Sequence, residues 1–261
     1  MHSDSHQETR KEQGGPEIWR NYALHYARVI PAVPDWDQAE KHPRKFACRK
    51  PWLPDSREAR LLDVGCGWGQ LLLSLWCAGY RNLEGIDHSP SQVEKAEQFA
   101  AGRIPFACCD AFDFLPPVTD RYDVITVYDV LEHIPPDRAL PFLSAVYHAL
   151  APGGRIVLRV PNMGCLIGPA THFMDLTHVA GYTETSLAQI LDCAGFSHHV
   201  VVPDAELDLS LWRPWAPWRG FGLRCRVNRR LHRIVYFLSG KPTRSTAFSH
   251  NLEMYSHKLI P

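Results

Sequence analysis

The sequence predicts an α/β fold: a doubly wound sheet of seven strands, mostly parallel, with helices on both faces. Three observations carry that expectation. Short apolar runs alternate with helix-length segments between residues 58 and 208, as they do when crossover helices cover a parallel sheet on both sides. The first apolar run enters a glycine-rich turn, Gly65-Cys66-Gly67-Trp68-Gly69, where missing Cβ atoms let a ligand lie against the backbone at a helix start. The second run ends in Gly85-Ile86-Asp87, placing a carboxylate about twenty residues on, where it can accept ribose hydroxyls.

The 261 residues balance 28 Lys+Arg against 28 Asp+Glu, and 45% are hydrophobic. A substantial core can be buried, which excludes a disordered chain. The neutral balance argues against a polybasic nucleic-acid wrapper, and no nucleic-acid partner is expected. No apolar run approaches the ~20 residues of a membrane span. The N-terminal stretch has no apolar signal core, so a cytoplasmic location is expected. The eight cysteines include no CxxC pair. They read as small buried hydrophobes in a reducing compartment, not as a zinc site.

In chain order, residues 1–15 form a polar, disordered tail. Residues 16–57 form a helical cap, with Trp19, Tyr22, Tyr26 and Trp36 in pieces broken by Pro31, Pro34, Pro43 and Pro51. The core spans 58–208. Its strands are expected at Arg60–Val64, Leu83–Ile86, Ile104–Cys109, Tyr122–Tyr128, Arg155–Val160 and His198–Val202. Helices are expected at Gln70–Ala78, Pro90–Ala101, Arg138–Leu150 and Glu184–Cys193. Ser89-Pro90 supplies an N-cap with proline at the first helical position, and Ala151-Pro152-Gly153-Gly154 is a strong stop. Residues 209–250 form a basic, aromatic lid. From Leu209 to Asn251 there are eight arginines and Lys241 but no acidic residue, with Trp212, Trp215, Trp218 and Phe221 interleaved. Within it, Arg224–Leu238 has the pattern of an amphipathic helix. The alternating run in 251–261 closes the sheet as a final, antiparallel edge strand.

The glycine loop decides between two cofactor classes. A dinucleotide fold wants GxGxxG, but Gln70 stands where the third glycine belongs. The chain has instead Asp63-Val64-Gly65-Cys66-Gly67-Trp68-Gly69, and here it resembles the class I S-adenosylmethionine-dependent methyltransferases, whose fold is Rossmann-like. The resemblance continues through Asp110-Ala111, Tyr122-Asp123-Val124-Ile125, Asp129-Val130-Leu131-Glu132-His133 and Leu150-Ala151-Pro152-Gly153-Gly154, in order over roughly residues 58 to 202. It implies S-adenosylmethionine as cofactor. Gly65, Cys66 and Gly67 would lie under its methionine part, with Asp63 organising the loop and Arg44 or Arg49 as partners for the methionine carboxylate. Asp87 would hold the ribose, His88 would flank the adenine, and Asp110 with the Ala111 amide would meet the adenine amino group. Tyr128 would sit beside the sulfonium.

The acceptor is less sharply written. A hydroxyl needs to lose a proton, and a histidine is the usual base. His133 follows the fourth strand. His178 lies after the fifth, with Asp175 three residues earlier to orient its ring, and is the leading candidate. The stretch Asp175-Leu176-Thr177-His178, with Tyr182–Leu187, is similar to methyltransferases of bacterial glycan and polysaccharide biosynthesis, which implies a sugar hydroxyl on a small-molecule or lipid-linked glycan. Asp129, Glu132 and His133 also resemble the acidic-acidic-His set of the ubiquinone-pathway O-methyltransferases, which implies a small-molecule acceptor with a divalent metal. A non-catalytic S-adenosylmethionine-binding protein that docks through its basic tail is the reading from another class. That tail, 212–244, also leaves peripheral contact with the inner membrane face open. Methylation of base nitrogens is disfavoured because no N/D-P-P-Y/F follows the fourth strand. A cysteine nucleophile is disfavoured because no Pro-Cys pair occurs.

Overall fold

The computed structural model describes residues 34–202, 223–240 and 245–260. The expected tail, the cap residues Trp19, Tyr22 and Tyr26, and the aromatic run from Trp212 to Phe221 lie outside the described residues. Among the described residues, helices α1 (Trp36–Lys41) and α2 (Pro43–Phe46) come first, followed by β1 (Arg60–Val64), α3 (Gln70–Cys77), β2 (Asn82–Asp87), α4 (Pro90–Ala100) and β3 (Phe106–Cys108). Then come α5 (Ala111–Phe114), β4 (Tyr122–Tyr128), a 3₁₀ turn (Leu131–His133), α6 (Pro136–Ala149), β5 (Leu150–Pro161) and α7 (Gly168–His172). The chain closes with α8 (Glu184–Cys193), β6 (Ser197–Val201), α9 (Leu223–Leu238) and β7 (Asn251–His257).

The seven strands form one sheet in the order β3-β2-β1-β4-β5-β7-β6. Only β7 runs against its neighbours, β5 and β6. Successive residues of the central strands serve opposite faces, as the pleat requires. Leu62, Ile125, Ile156 and Leu158 pack with Phe142, Leu143 and Val146 of α6 and Leu187 and Leu191 of α8. Leu61, Val124 and Val157 pack with Leu72 and Leu75 of α3, Trp36 of α1 and Trp52. Near-continuous apolar strands therefore mark a sheet covered on both sides, as expected.

The sheet corrects one expectation. The final strand is not an edge strand: β7 pairs with β5 from Arg155↔His257 to Pro161↔Asn251 and with β6 on its other side, leaving β6 at the edge. The burial alternates along β6, whose His198 and Val200 face solvent, whereas Leu252, Glu253, Met254 and Ser256 of β7 are all buried. Polar-alternating β6 is the strand that tolerates an open side.

The cysteines correct a second. Cys66 and Cys165 are buried, but Cys108 and Cys193 are exposed. Cys108 ends the edge strand β3 and Cys193 the last turn of α8, where neighbouring apolar residues are no guarantee of burial.

Candidate active site

The chain reverses direction across the sheet between β1 and β4, since β2 and β3 lie to one side and β5 to the other. Ligands of open α/β sheets bind beyond the carboxyl ends of the strands at such a switch point. The glycine loop leaves β1 there. Its Gly65 and Cys66 amides donate to the Ile86 carbonyl at 2.8 and 3.0 Å, which ties the loop to β2. Gly65, Gly67 and Gly69 have φ of +72°, +50° and +78°, a left-handed path that only glycine takes without strain. A Cβ on Gly65 would overlap the Val130 side chain.

Asp87, at the end of β2, is 9% exposed. Its two carboxylate oxygens accept the Gly67 amide at 3.0 Å and the Ser89 amide at 2.9 Å, so one side chain fixes the loop and the entry to α4. Each oxygen keeps a second lone pair. Asp63 is buried within the sheet and accepts the Thr126 hydroxyl at 2.6 Å; burial pushes its carboxyl up to about 7. His88 follows Asp87 with an exposed side chain. Asp110 caps α5, accepting the Phe112 amide at 2.8 Å, and Ala111 opens that helix. Arg49 donates to the Arg44 carbonyl within the cap.

Tyr128, at the end of β4, has the Arg159 guanidinium over its ring, 4.5 Å from the centroid. Its hydroxyl is buried with Glu253 as its neighbour. Arg159 of β5 also grips both oxygens of Asp129. Glu253 of β7 accepts Lys50 at 2.6 Å and the Trp52 indole at 2.8 Å, clasping the cap to the sheet.

The second centre forms where the 3₁₀ turn meets the segment after α7. Ligand atoms of Glu132, His133 and His178 lie within 4.8 Å of one another. The two imidazoles meet edge to face with ring centroids 4.7 Å apart. The Glu132 side chain is buried, and neither carboxylate oxygen has a hydrogen-bond partner; burial, then the Asp129 charge, pushes its carboxyl well above the usual range. The Thr177 hydroxyl donates to Asp175 Oδ1 at 2.6 Å. With its proton spent there, Thr177 Oγ1 must accept from His133 Nδ1, 2.9 Å away. His178 Nδ1 faces the His172 carbonyl at 2.7 Å and must likewise donate. Each neutral ring then carries its lone pair on Nε2. Burial, reinforced by His178, pushes His133 down to about 4, and burial lowers His178, so both rings are neutral near pH 7.

Two expectations about this centre are corrected. Asp175 does not orient His178: it holds Thr177, and through it His133, while His178 is held by the His172 carbonyl. Asp129 is not the third member beside Glu132 and His133; its carboxylate is turned to Arg159, and His178 takes that place. Thr177, His172 and Arg159 were not singled out by sequence reasoning. Arg159 had left a signal, a charge inside the apolar run of β5.

The chain as a whole is matched among known proteins. Residues 25–200 fit the family described as a methyltransferase domain. The chain belongs to that family. This methyltransferase is 28% identical over 173 residues to the ubiquinone biosynthesis O-methyltransferase of Coxiella burnetii, covering 58% of this chain and 71% of the relative. In fold it is similar to an S-adenosylmethionine-dependent methyltransferase from Archaeoglobus fulgidus, with a TM-score of 0.61, 19% identity and coverage of 91% and 99% of the two chains. It is also similar to the 1,6-didemethyltoxoflavin-N1-methyltransferase of Burkholderia thailandensis solved with bound S-adenosylhomocysteine, with a TM-score of 0.52, 18% identity and coverage of 93% and 88%. The methyltransferase is an enzyme of the class I, Rossmann-like type, and S-adenosylmethionine is its cofactor.

Proposed function

We propose that this methyltransferase acts on a hydroxyl oxygen of a small molecule, with a divalent cation held by Glu132, His133 and His178. The observation that carries the reading is the convergence of those three side chains around a buried carboxylate that has no hydrogen-bond partner. One oxygen and two imidazole donors suit a divalent ion. The Thr177 and His172 contacts set the tautomer of each ring, as outer partners do in metal sites. The resemblance to a ubiquinone-biosynthesis enzyme supports a ring hydroxyl of quinone type as the acceptor.

S-adenosylmethionine supplies the methyl group on a sulfonium, and a bound divalent cation would favour the ionised form of a hydroxyl beside it. The chain's own residues do the positioning. Gly65, Cys66 and Gly67 give a flat floor without obstructing side chains, Asp87 offers its remaining lone pairs to the ribose, and His88 flanks the adenine. Asp110 and the Ala111 amide take the adenine edge, and Tyr128 stands on the side of the reacting carbon. Donor and acceptor held in line account for ~7–11 kcal/mol of barrier lowering in such displacements. Asp175 acts through Thr177 to hold the His133 ring with Nδ1 donating and Nε2 turned toward the acceptor side.

A second reading has its own observation. With Nδ1 committed to the His172 carbonyl, His178 presents a basic Nε2, which can take the proton of a sugar hydroxyl without a cation. The deciding experiment follows S-adenosylhomocysteine release from the purified protein with a catechol-type phenol, a nucleotide sugar and a lipid-linked glycan, each with and without EDTA. Phenol methylation that EDTA abolishes and added Mg²⁺ or Mn²⁺ restores is the expected result. Sugar methylation indifferent to EDTA but lost in His178→Ala would replace the proposal with the second reading. Cofactor binding with no transfer to any acceptor would favour the non-catalytic reading.

A further inference from the structure

Helix α9 presents its residues the wrong way round for a helix that only packs on a domain. Its inward positions are polar. The Asn228 amide donates to the Phe248 carbonyl at 2.7 Å, the buried His232 accepts the Leu166 amide at 2.9 Å through Nε2, and the Tyr236 hydroxyl donates to the Gly164 carbonyl at 3.0 Å. These three stand at i, i+4 and i+8. Its apolar stripe, Val227, Leu231, Ile234 and Leu238, recurs at i, i+4, i+7 and i+11 on another side and is 47%, 54%, 54% and 76% exposed. Arg230 and Arg233 are exposed alongside it.

A second exposed apolar segment begins beside α9, where the Leu166 amide donates to His232. In the segment that follows, Ile167, Phe173, Met174, Leu176 and Val179 are exposed together with Leu166. This is also the segment that carries Asp175, Thr177 and His178. Apolar surface on this scale marks an interaction site.

We propose that this face docks on an anionic phospholipid bilayer, with α9 lying along the headgroup boundary. Charge complementarity chooses the occupant. Between Val227 and Leu238 the helix carries Arg229, Arg230 and Arg233 with no aspartate or glutamate, a charge opposite in sign to that of an anionic leaflet. Arginines bordering an apolar stripe reach headgroups with their charged ends while their stems cover hydrocarbon, as in interfacial helices. Among the described residues no helix is long and apolar enough to cross a membrane, so the contact is peripheral. Docking in this way sets the His178 segment against the lipid, and an acceptor with a long apolar chain would reach it from the bilayer; that last consequence rests on the acceptor reading above.

The test is co-sedimentation of the full chain with vesicles of phosphatidylcholine alone and of phosphatidylcholine mixed with phosphatidylglycerol, without any acceptor. The protein should sediment with the mixed vesicles and stay in solution with the neutral ones. Leu231→Glu with Ile234→Glu, and separately Arg230→Glu with Arg233→Glu, should each lower the bound fraction about tenfold while S-adenosylhomocysteine affinity stays unchanged. Failure to sediment with anionic vesicles, or sedimentation indifferent to the stripe substitutions, overturns the proposal. So does light scattering that shows a dimer which the stripe substitutions dissociate, since the face would then be a protein interface. Because no methyl transfer is read, a failed acceptor assay leaves this result standing, and the reverse holds too.

Discussion

Replacing Gly65 by alanine probes whether the glycine loop and the turn after β4 are one packed unit. Gly65 has φ of +72°, and a non-glycine residue there costs ~1–2 kcal/mol. The added Cβ would also overlap Val130 Cγ2, and overpacking of that kind costs about 1–3 kcal/mol. The sum, about 2–5 kcal/mol, corresponds to a fall in Tm of roughly 4–20 °C for a domain of this size. The two costs separate in a double-mutant cycle. Truncating Val130 to alanine removes Cγ2 and leaves its Cβ 3.7 Å from the new methyl, which is ordinary contact. Gly65→Ala/Val130→Ala should therefore recover the steric part, giving a coupling energy of about 1–3 kcal/mol, while the backbone strain remains. The assay is urea denaturation of the four proteins, with calorimetric titration of S-adenosylhomocysteine in parallel. Additive effects of the two substitutions, or an unchanged midpoint for Gly65→Ala, would refute the account of the loop.

Three further outcomes follow from the same geometry. Asp87→Ala removes the acceptors of the Gly67 and Ser89 amides, charge-assisted bonds worth ~1.5–3 kcal/mol each; S-adenosylhomocysteine affinity should fall at least about tenfold, and an unaltered titration would take the ribose role from Asp87. Asp63 has a folded pKa raised to about 7 from 3.8, so the folded state binds the extra proton: its contribution to stability is fully present below pH 3.8 and is lost as pH rises through 7. Asp63→Asn, which keeps an acceptor for Thr126, should remove that decline between pH 4 and 7, and a denaturation series in which mutant and wild type run parallel would contradict the buried-carboxyl account. Thr177→Val breaks the Asp175–Thr177–His133 chain and should weaken Mn²⁺ binding about 10–100-fold, with Thr177→Ser restoring it; equal affinities in calorimetry would show that the chain does not set the His133 tautomer.

Much of this protein is legible because its signals are local. The alternation of apolar runs and helical segments reports burial on both faces of each strand, and burial of Leu61 against Leu62, or Val124 against Ile125, needs only the pleat. The left-handed path of the glycine loop is likewise a property of three consecutive turns of backbone, and the carboxylate at Asp87 follows from the length of one helical crossover. Even the inverted helix α9 announced its amphipathic period in the residues from Arg224 to Leu238.

The rest depends on which distant segments become neighbours. By its own sequence β7 fits an edge or an interior position equally well; it lies inside the sheet because β5 offers an open side and β6 is the strand whose alternating polarity tolerates solvent. The pairing of Asp175 with Thr177 is local, but its delivery to His133 spans 44 residues, and the His172 carbonyl reaches His178 only because the chain turns between them. Asp129 reads from sequence as a partner of Glu132 and His133, four residues away at most, yet a half-buried arginine on the adjacent strand claims its carboxylate, since a guanidinium in an apolar strand must find a counter-charge. Sequence by itself determined the fold, the family and the cofactor, all carried by short-range periodicity and a contiguous motif. The membership of the second centre was decided only by tertiary structure, because ligand atoms from two separate segments converge where neither segment alone makes a site.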